Sequence, residues 1–205
     1  MRPDVVLIPA KGVADGKSRL RNVLSPSRRQ ELNLAQLRQT LHAAAAVFGS
    51  GNTYVVSACA GVEEVAAAAG LCFIREGGVP PGLNEALEQA RAHVVHSVSP
   101  RSMAILPVDL PGVGEAALRE VLASCPVEEA LIVPDRAGQG TNFLRIPASC
   151  GIPFAYGEGS FARHVRLLAQ EDVNVRVVGQ TCLRDDLDEP LQLRLYGRYG
   201  DLLAA

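Results

Sequence analysis

The order of apolar and polar residues along the chain predicts an alternation of strands and helices. Short, nearly continuous apolar runs predict strands at 4–10, 52–59, 71–74, 102–111, 129–135, 141–147 and 173–178. Apolar residues at helical spacing predict helices at 25–47, 61–70, 82–96, about 114–124, 159–170 and 189–203. Strands that are apolar throughout are typical of a parallel sheet buried on both faces. We therefore predict an α/β fold, a mostly parallel sheet with helices on both faces, in a single domain over residues 1–205.

A lysine-containing loop follows the first predicted strand. Lys11 and Lys17 are the only lysines of the chain, and the remaining basic residues among the 20 are all arginine. Ligands of open α/β sheets bind beyond the carboxyl ends of the strands. Lys11, Lys17 and Arg19 near a glycine-containing turn therefore predict an anion-binding loop. The spacing does not fit a P-loop, because the segment between Gly12 and Gly16 is one residue too short. The alternative is a solvated basic loop.

Three aspartates mark two further positions of interest. Asp109 lies near the end of the strand predicted at 102–111, where a carboxylate suits either Mg²⁺ or the cap of the next helix. Asp186 and Asp188 are two residues apart, so in an extended segment both side chains point to one side. Acidic residues at this place also suit the start of a helix. If the two segments converge, the three carboxylates predict a divalent metal site.

Two polar segments remain, "PDRAGQGTNFL" and "YGEGSFARH". The second matches the dinucleotide fingerprint, but it lies too late in the chain for that function. A glycine-rich turn that opens a helix presents free N–H groups, so Gly157 and Ser160 predict a pocket for a phosphate or carboxylate. Thr141 adds a further donor, and the alternative is an ordinary turn with Asn142 as a local backbone partner. We expect His164 to position neighbouring groups rather than to act as a base.

Composition excludes several classes of protein. A net charge of -2 argues against a nucleic-acid surface, since phosphate backbones require a basic face. The sequence has no apolar run long enough to span a membrane. The five cysteines are widely spaced without a C-x-x-C pair, which indicates a reduced, cytoplasmic protein without a cysteine-based zinc site. The oligomeric state stays open, with a homodimer among the alternatives.

Six segments in the same order resemble the phospholactate guanylyltransferase family, which acts in coenzyme F-420 biosynthesis. They are "IPAKGVADGKSRL", "GLNEAL", "PVDLP", "PDRAGQGTNFL", "YGEGSFARH" and "DDLDEP". The resemblance implies a nucleotidyltransferase fold of the glycosyltransferase-A-like type and GTP as the donor. It also implies a phosphorylated three-carbon acid as the acceptor: 2-phospho-L-lactate, phosphoenolpyruvate or 3-phospho-D-glycerate.

The resemblance also implies roles for individual residues. The residues expected at the reacting phosphates are Lys11, Lys17 and Arg19, and those expected at the nucleotide are Pro9, Ala10, Leu83 and Asn84. The acceptor is expected to contact Thr141, Gly157 and Ser160. The expected Mg²⁺ ligands are Asp109, Asp186 and Asp188. Two departures from the family pattern occur. Glu189 replaces the threonine of the family's D-x-D-T-P. The long first helix, which usually carries an acidic residue in the family, here reads "LRQTLHAAAAV".

The expected reaction releases pyrophosphate and transfers GMP to the acceptor phosphate. A phosphate monoester is largely dianionic at pH 7, so the reaction needs no general base. It needs charge neutralisation and in-line positioning of two anions. The alternatives are a nucleotidyltransferase of the same fold with a molybdenum-cofactor or sugar-phosphate acceptor, a P-loop kinase, and a non-catalytic GTP-binding module.

Overall fold

The computed structural model describes residues 2–13, 17–77, 82–187 and 192–193. The metal ligand predicted at Asp188, Glu189 beside it and most of the helix predicted at 189–203 lie outside the described residues.

The described strands form one seven-stranded sheet in the order β3-β2-β1-β4-β6-β5-β7. The strands are β1 (Asp4–Pro9), β2 (Thr53–Ser57), β3 (Cys72–Arg75), β4 (Ser102–Ile105), β5 (Ala130–Pro134), β6 (Thr141–Pro147) and β7 (Val175–Val177). Among these pairings, β6 runs antiparallel to β4 and β5, and all others are parallel. The prediction of a mostly parallel sheet is confirmed.

Five α-helices connect these strands within the described part of the chain. They are α1 (Pro26–Phe48), α2 (Ala60–Ala68), α3 (Leu83–Val98), α4 (Glu115–Ala123) and α5 (Ser160–Gln170). The long first helix begins as predicted, since Ser25 caps it by accepting a hydrogen bond from the Arg28 N–H. Proline at the first helical position fits as well, because that N–H would have no partner within the helix.

The fourth strand is shorter than the sequence predicted. The apolar run 102–111 predicted a strand to its end, whereas β4 stops at Ile105. The Leu106 N–H still donates to the Leu7 carbonyl, but Pro107 has no N–H with which to continue the ladder. The chain therefore leaves the sheet, and Asp109 lies on a loop beyond the strand end.

Helices cover both faces of the sheet, as predicted. In β1, Val6 and Ile8 pack with α1, α2 and α4, whereas Val5 and Leu7 pack with α3 and α5. All four side chains are fully buried, as expected for a central strand covered on both sides. None of the helices in the described ranges has the length and apolar character needed to cross a membrane.

A small leucine cluster lies apart from these two layers. Its members are Leu20, Leu24, Leu32, Leu187 and Leu193. The cluster joins three parts of the chain: the end of the lysine loop, the first turns of α1 and the segment that follows Asp186. Packing therefore connects the lysine loop to the segment around Asp186, which we call the second aspartate segment.

Candidate active site

A cleft of about 740 Å³ opens at the carboxyl ends of β1, β2 and β4. Its walls come from residues 9–13 and Lys17, from α1, from the start of α3, from residues 107–109 and from Tyr156. Six residues singled out in the sequence line this cleft: Pro9, Ala10, Lys11, Lys17, Leu83 and Asp109. The volume lies in the range usual for small-molecule sites.

Hydrogen bonds at Ala10 and Val13 fix the path of the lysine loop after β1. The Ala10 N–H donates to the Val56 carbonyl at 2.9 Å, which extends the sheet pairing by one residue. The Asn33 amide of α1 then donates to the Val13 carbonyl at 2.8 Å. Lys17 has a φ of 61°, a left-handed conformation that costs a non-glycine residue about 1 kcal/mol or more. Lys11 and Arg19 are both exposed, and of these two Lys11 lines the cleft.

The segment that contains Asp109 and the segment that contains Asp186 lie side by side. The Leu187 N–H donates to the Asp109 carbonyl at 2.9 Å, so Asp109 and Asp186 belong to adjoining segments. Both aspartates are half-buried, and the Asp186 Oδ1 accepts a hydrogen bond of 3.2 Å from Gln192. Within the described ranges, no three His, Cys, Asp or Glu side chains form a metal-binding group. Two of the three predicted ligands are described, and Asp188 is not.

Arginine side chains fasten the second aspartate segment to the turn that precedes β6. The Arg184 guanidinium donates to the carbonyl oxygens of Asp135 at 2.9 Å, Arg136 at 3.0 Å and Gly179 at 3.0 Å. Arg136 in return forms a two-point ion pair with Asp185. The turn and the aspartate segment therefore hold each other in place.

Thr141 and His164 form a buried pair beside the glycine-rich turn. The Ala155 N–H donates to His164 Nε2 at 3.0 Å, which leaves the ring proton on Nδ1 to donate to Thr141 Oγ1 at 3.0 Å. His164 is fully buried, and burial lowers its pKa from 6.5 to about 4, with a smaller effect of the Arg163 charge. A neutral ring with both nitrogens occupied positions its neighbours, which agrees with the expectation for His164.

The glycine-rich turn differs from the expectation in one respect. Gly157 has a φ of 115° and Ser160 begins α5, almost fully buried. The sequence predicted free N–H groups at this helix start, but the Ser160 N–H donates to the Gly157 carbonyl and the Phe161 N–H to the Gln139 carbonyl. The reason is that the turn closes on itself and packs against the loop before β6. An anion here would meet the side chains and the remaining N–H groups.

Asn84, predicted at the nucleotide, uses its amide on the protein itself. Its Nδ2 donates to the Tyr156 carbonyl at 3.2 Å, and its Oδ1 accepts from the Tyr156 N–H at 2.8 Å. Tyr156 lines the cleft and meets the His164 ring edge-to-face, with ring centroids 4.9 Å apart. The two predicted subsites therefore share a wall at Tyr156.

Sequence reasoning missed several residues that position the site. Arg184 and Asn33 were not singled out, and Asn142 was considered only as a local partner, although its amide donates to the Leu183 carbonyl 41 residues away at 3.1 Å. For Asn33 a signal existed, namely a polar residue among the apolar positions of α1. The partners of Arg184 and Asn142 follow from the fold and leave no local pattern.

Comparisons with known proteins agree with this picture. The family model described as "Guanylyl transferase CofC like" matches residues 4–194. A phosphoenolpyruvate guanylyltransferase of Rubrobacter xylanophilus is 36% identical over 91% of this chain and 90% of its own length. A 2-phospho-L-lactate guanylyltransferase of Methanocaldococcus infernus is 29% identical over 95% of this chain and 85% of its own.

The fold also occurs among solved structures. A nucleotidyl transferase from Methanothermobacter thermautotroptrophicus superposes with a TM-score of 0.68, covering 97% of this chain and 98% of that one at 14% identity. At this identity the likeness establishes the fold alone, and it confirms the predicted nucleotidyltransferase architecture.

Proposed function

Since the chain belongs to the guanylyl transferase family described as CofC-like, we propose that it transfers GMP from GTP to a phosphorylated three-carbon acid and releases pyrophosphate. Phosphoenolpyruvate is the first acceptor to test, because the relative at 36% identity is named for it. 2-Phospho-L-lactate and 3-phospho-D-glycerate are the other two. The product would enter the biosynthesis of coenzyme F-420.

The observation that carries this proposal is the hydrogen bond from the Leu187 N–H to the Asp109 carbonyl at 2.9 Å. It joins two distant segments of the chain, and one of them, at Asp109, lines a cleft whose other walls carry Lys11 and Lys17. Nucleotidyl transfer needs this combination, because two phosphate groups that repel each other have to approach closely.

The aspartates fit Mg²⁺. Magnesium prefers carboxylate oxygens and is usually bound through one or two carboxylates together with substrate phosphates. Asp109 and Asp186 would hold it, together with Asp188 from outside the described residues. When bound, the ion supplies positive charge that offsets the repulsion between the acceptor phosphate and the nucleotide phosphates.

The protein's own residues then bind, orient and neutralise. An acceptor phosphate oxygen attacks the α-phosphorus of GTP, a P–O bond forms, and the bond to pyrophosphate breaks. Lys11, Lys17 and Arg19 take up the charge that develops on the leaving pyrophosphate. Thr141 and the turn from Gly157 to Ser160 hold the acceptor. No side chain has to remove a proton, since the acceptor phosphate is already dianionic at neutral pH.

A pyrophosphate-release assay tests the proposal. The protein is incubated with GTP or ATP and each of the three acceptors, with Mg²⁺ and with EDTA in its place. We expect pyrophosphate only with GTP, Mg²⁺ and at least one acceptor, together with a guanylylated product of matching mass. Absence of pyrophosphate with all three acceptors, despite binding of GTP, would contradict the proposal and favour a non-catalytic module.

A further inference from the structure

A row of side chains on α3 holds the segment that leads into the glycine-rich turn. Asn84 binds both the N–H and the carbonyl of Tyr156, at 2.8 and 3.2 Å. One turn further along the helix, the Glu88 carboxylate accepts from the Phe154 N–H at 2.8 Å. Arg91 donates to the Ile152 carbonyl at 2.8 Å. The row therefore contacts every second residue of the segment 152–156.

The spacing of these contacts follows from the geometry of the two elements. Residues 84, 88 and 91 lie on one face of the helix, with a rise of about 1.5 Å per residue between them. The successive helix positions are thus about 6 and 4.5 Å apart along the axis, near enough to the roughly 6.6 Å between alternate residues of an extended chain for long side chains to bridge the difference. The helix side chains thus supply the hydrogen bonds that a neighbouring strand would supply, for a segment that lies outside the sheet.

At the Arg91 end of the row, further contacts add to the hydrogen bond with Ile152. The Arg91 guanidinium lies over the Phe154 ring, 4.0 Å from its centroid, and its Nε is 3.5 Å from Glu88. The Asn84 contact lies at the other end, directly before Gly157 and one residue from Leu83 in the cleft wall. Asn84 therefore holds the last residue before the turn predicted to bind the acceptor, and the Tyr156 carbonyl also accepts from Arg163 at 3.3 Å.

We propose that Asn84 is a positioning residue for the acceptor subsite, acting through the backbone of Tyr156, and that it is not a ligand of the nucleotide. This inference rests on the proposed function for the identity of the two substrates. It reassigns the role that the family resemblance implied for Asn84, since both the donor and the acceptor of its amide bind Tyr156.

Gln89 on the same helix offers a matched control. Its Nε2 donates to the Arg75 carbonyl and its Oε1 accepts from the Gly77 N–H, both at 3.0 Å. The chemistry is the same two-point amide contact with a backbone, but it holds the end of β3 instead of the segment before Gly157. Asn84→Ala and Gln89→Ala therefore remove equivalent contacts from different segments.

Steady-state kinetics distinguish a positioning role of Asn84 at the acceptor subsite from direct binding of the nucleotide. We expect Asn84→Ala to raise the KM for the acceptor about tenfold, the value of two modest hydrogen bonds, with the KM for GTP within about twofold of wild type. Asn84→Asp keeps the bond from the Tyr156 N–H but sets a carboxylate oxygen against the Tyr156 carbonyl, so its increase should be at least as large. Gln89→Ala should leave the KM for the acceptor unchanged. A rise in the KM for GTP with an unchanged acceptor KM would overturn the inference.

Hydrogen exchange gives a readout that does not depend on turnover. Amides of residues 154–160 should exchange faster in Asn84→Ala than in wild type and at the wild-type rate in Gln89→Ala. Equal exchange in all three proteins would refute the positioning role even if the enzyme proved active. If wild type released no pyrophosphate with any acceptor, the proposed function would fail, and the exchange result alone would decide the role of Asn84.

Discussion

Lowering the pH from 7 to 5 should destabilise this protein through His164. The ring is fully buried and neutral, accepting from the Ala155 N–H and donating to Thr141. A second ring proton would have to sit on Nε2, where it would face the Ala155 N–H. Protonation therefore removes one hydrogen bond and places an unpaired charge in the interior, and both effects oppose the folded state.

The magnitude follows from the two pKa values. Burial holds the pKa of folded His164 at about 4, whereas the exposed side chain has a pKa of about 6.5. Between these values the unfolded chain binds a proton that the folded chain does not, so stability falls as the pH falls. The stability that neutral His164 contributes to the folded state is fully present above about pH 6.5. It is reduced by about 2 kcal/mol at pH 5 and is lost below about pH 4.

Urea unfolding at pH 7, 6 and 5 measures this effect. The control is His164→Gln, which cannot titrate and retains the three other histidines, all exposed. The variant should be less stable at pH 7, because the glutamine side chain cannot reach the Thr141 hydroxyl and the Ala155 N–H at the same time. Wild type should lose about 2 kcal/mol more than the variant between pH 7 and pH 5. Parallel losses in the two proteins would refute the assignment of a neutral, buried His164.

Substitutions at three further positions test how the segment around Asp186 is held and what it does. Gly112→Ala should cost about 1–3 kcal/mol in thermal or urea unfolding, because its Cβ would lie 2.6 Å from the Cys182 carbonyl oxygen. Arg184→Met should lower kcat and raise the Mg²⁺ concentration needed for half-maximal rate, with Arg184→Lys between it and wild type; an unchanged Mg²⁺ dependence would argue against coupling to the metal. Asp186→Asn should lower kcat by about 100-fold or more with a melting temperature close to wild type, and near-normal turnover would exclude it as a ligand.

The strand and helix order could be predicted from the sequence because it depends on local patterns. The apolar runs around Val6 and Val55 and the Ser25 cap are signals that survive without tertiary context. The strand predicted at 102–111 was too long because apolar character outweighed the missing N–H of Pro107. A proline inside an apolar run deserved more weight, since it interrupts the ladder whatever its neighbours are.

The sequence predicted several residues that line the cleft, but not the contacts that hold the walls of the cleft. Residues at strand ends, such as Lys11 and Asp109, lie at the cleft because the topology of parallel strands places them there. The contacts of Asn84 with Tyr156 and of Arg184 with Asp135 could not be predicted, since they join residues 72 and 49 positions apart through backbone atoms. Backbone atoms are the same at every residue, so the sequence of the partner segment carries no sign of the contact.

The contacts made by α3 have a consequence for exchanging substrate preference. Because Asn84, Glu88 and Arg91 all bind main-chain atoms of residues 152–156, that stretch can change most of its side chains and still dock in the same place. Residues 152–160 thus form a cassette that is held by its supporting helix. Its identity is constrained at Ile152 and Phe154, which are buried, and at Gly157 and Gly159, which have positive φ. Transplanting the cassette of a relative named for another phospho-acid would leave the supporting helix and the lysine loop untouched.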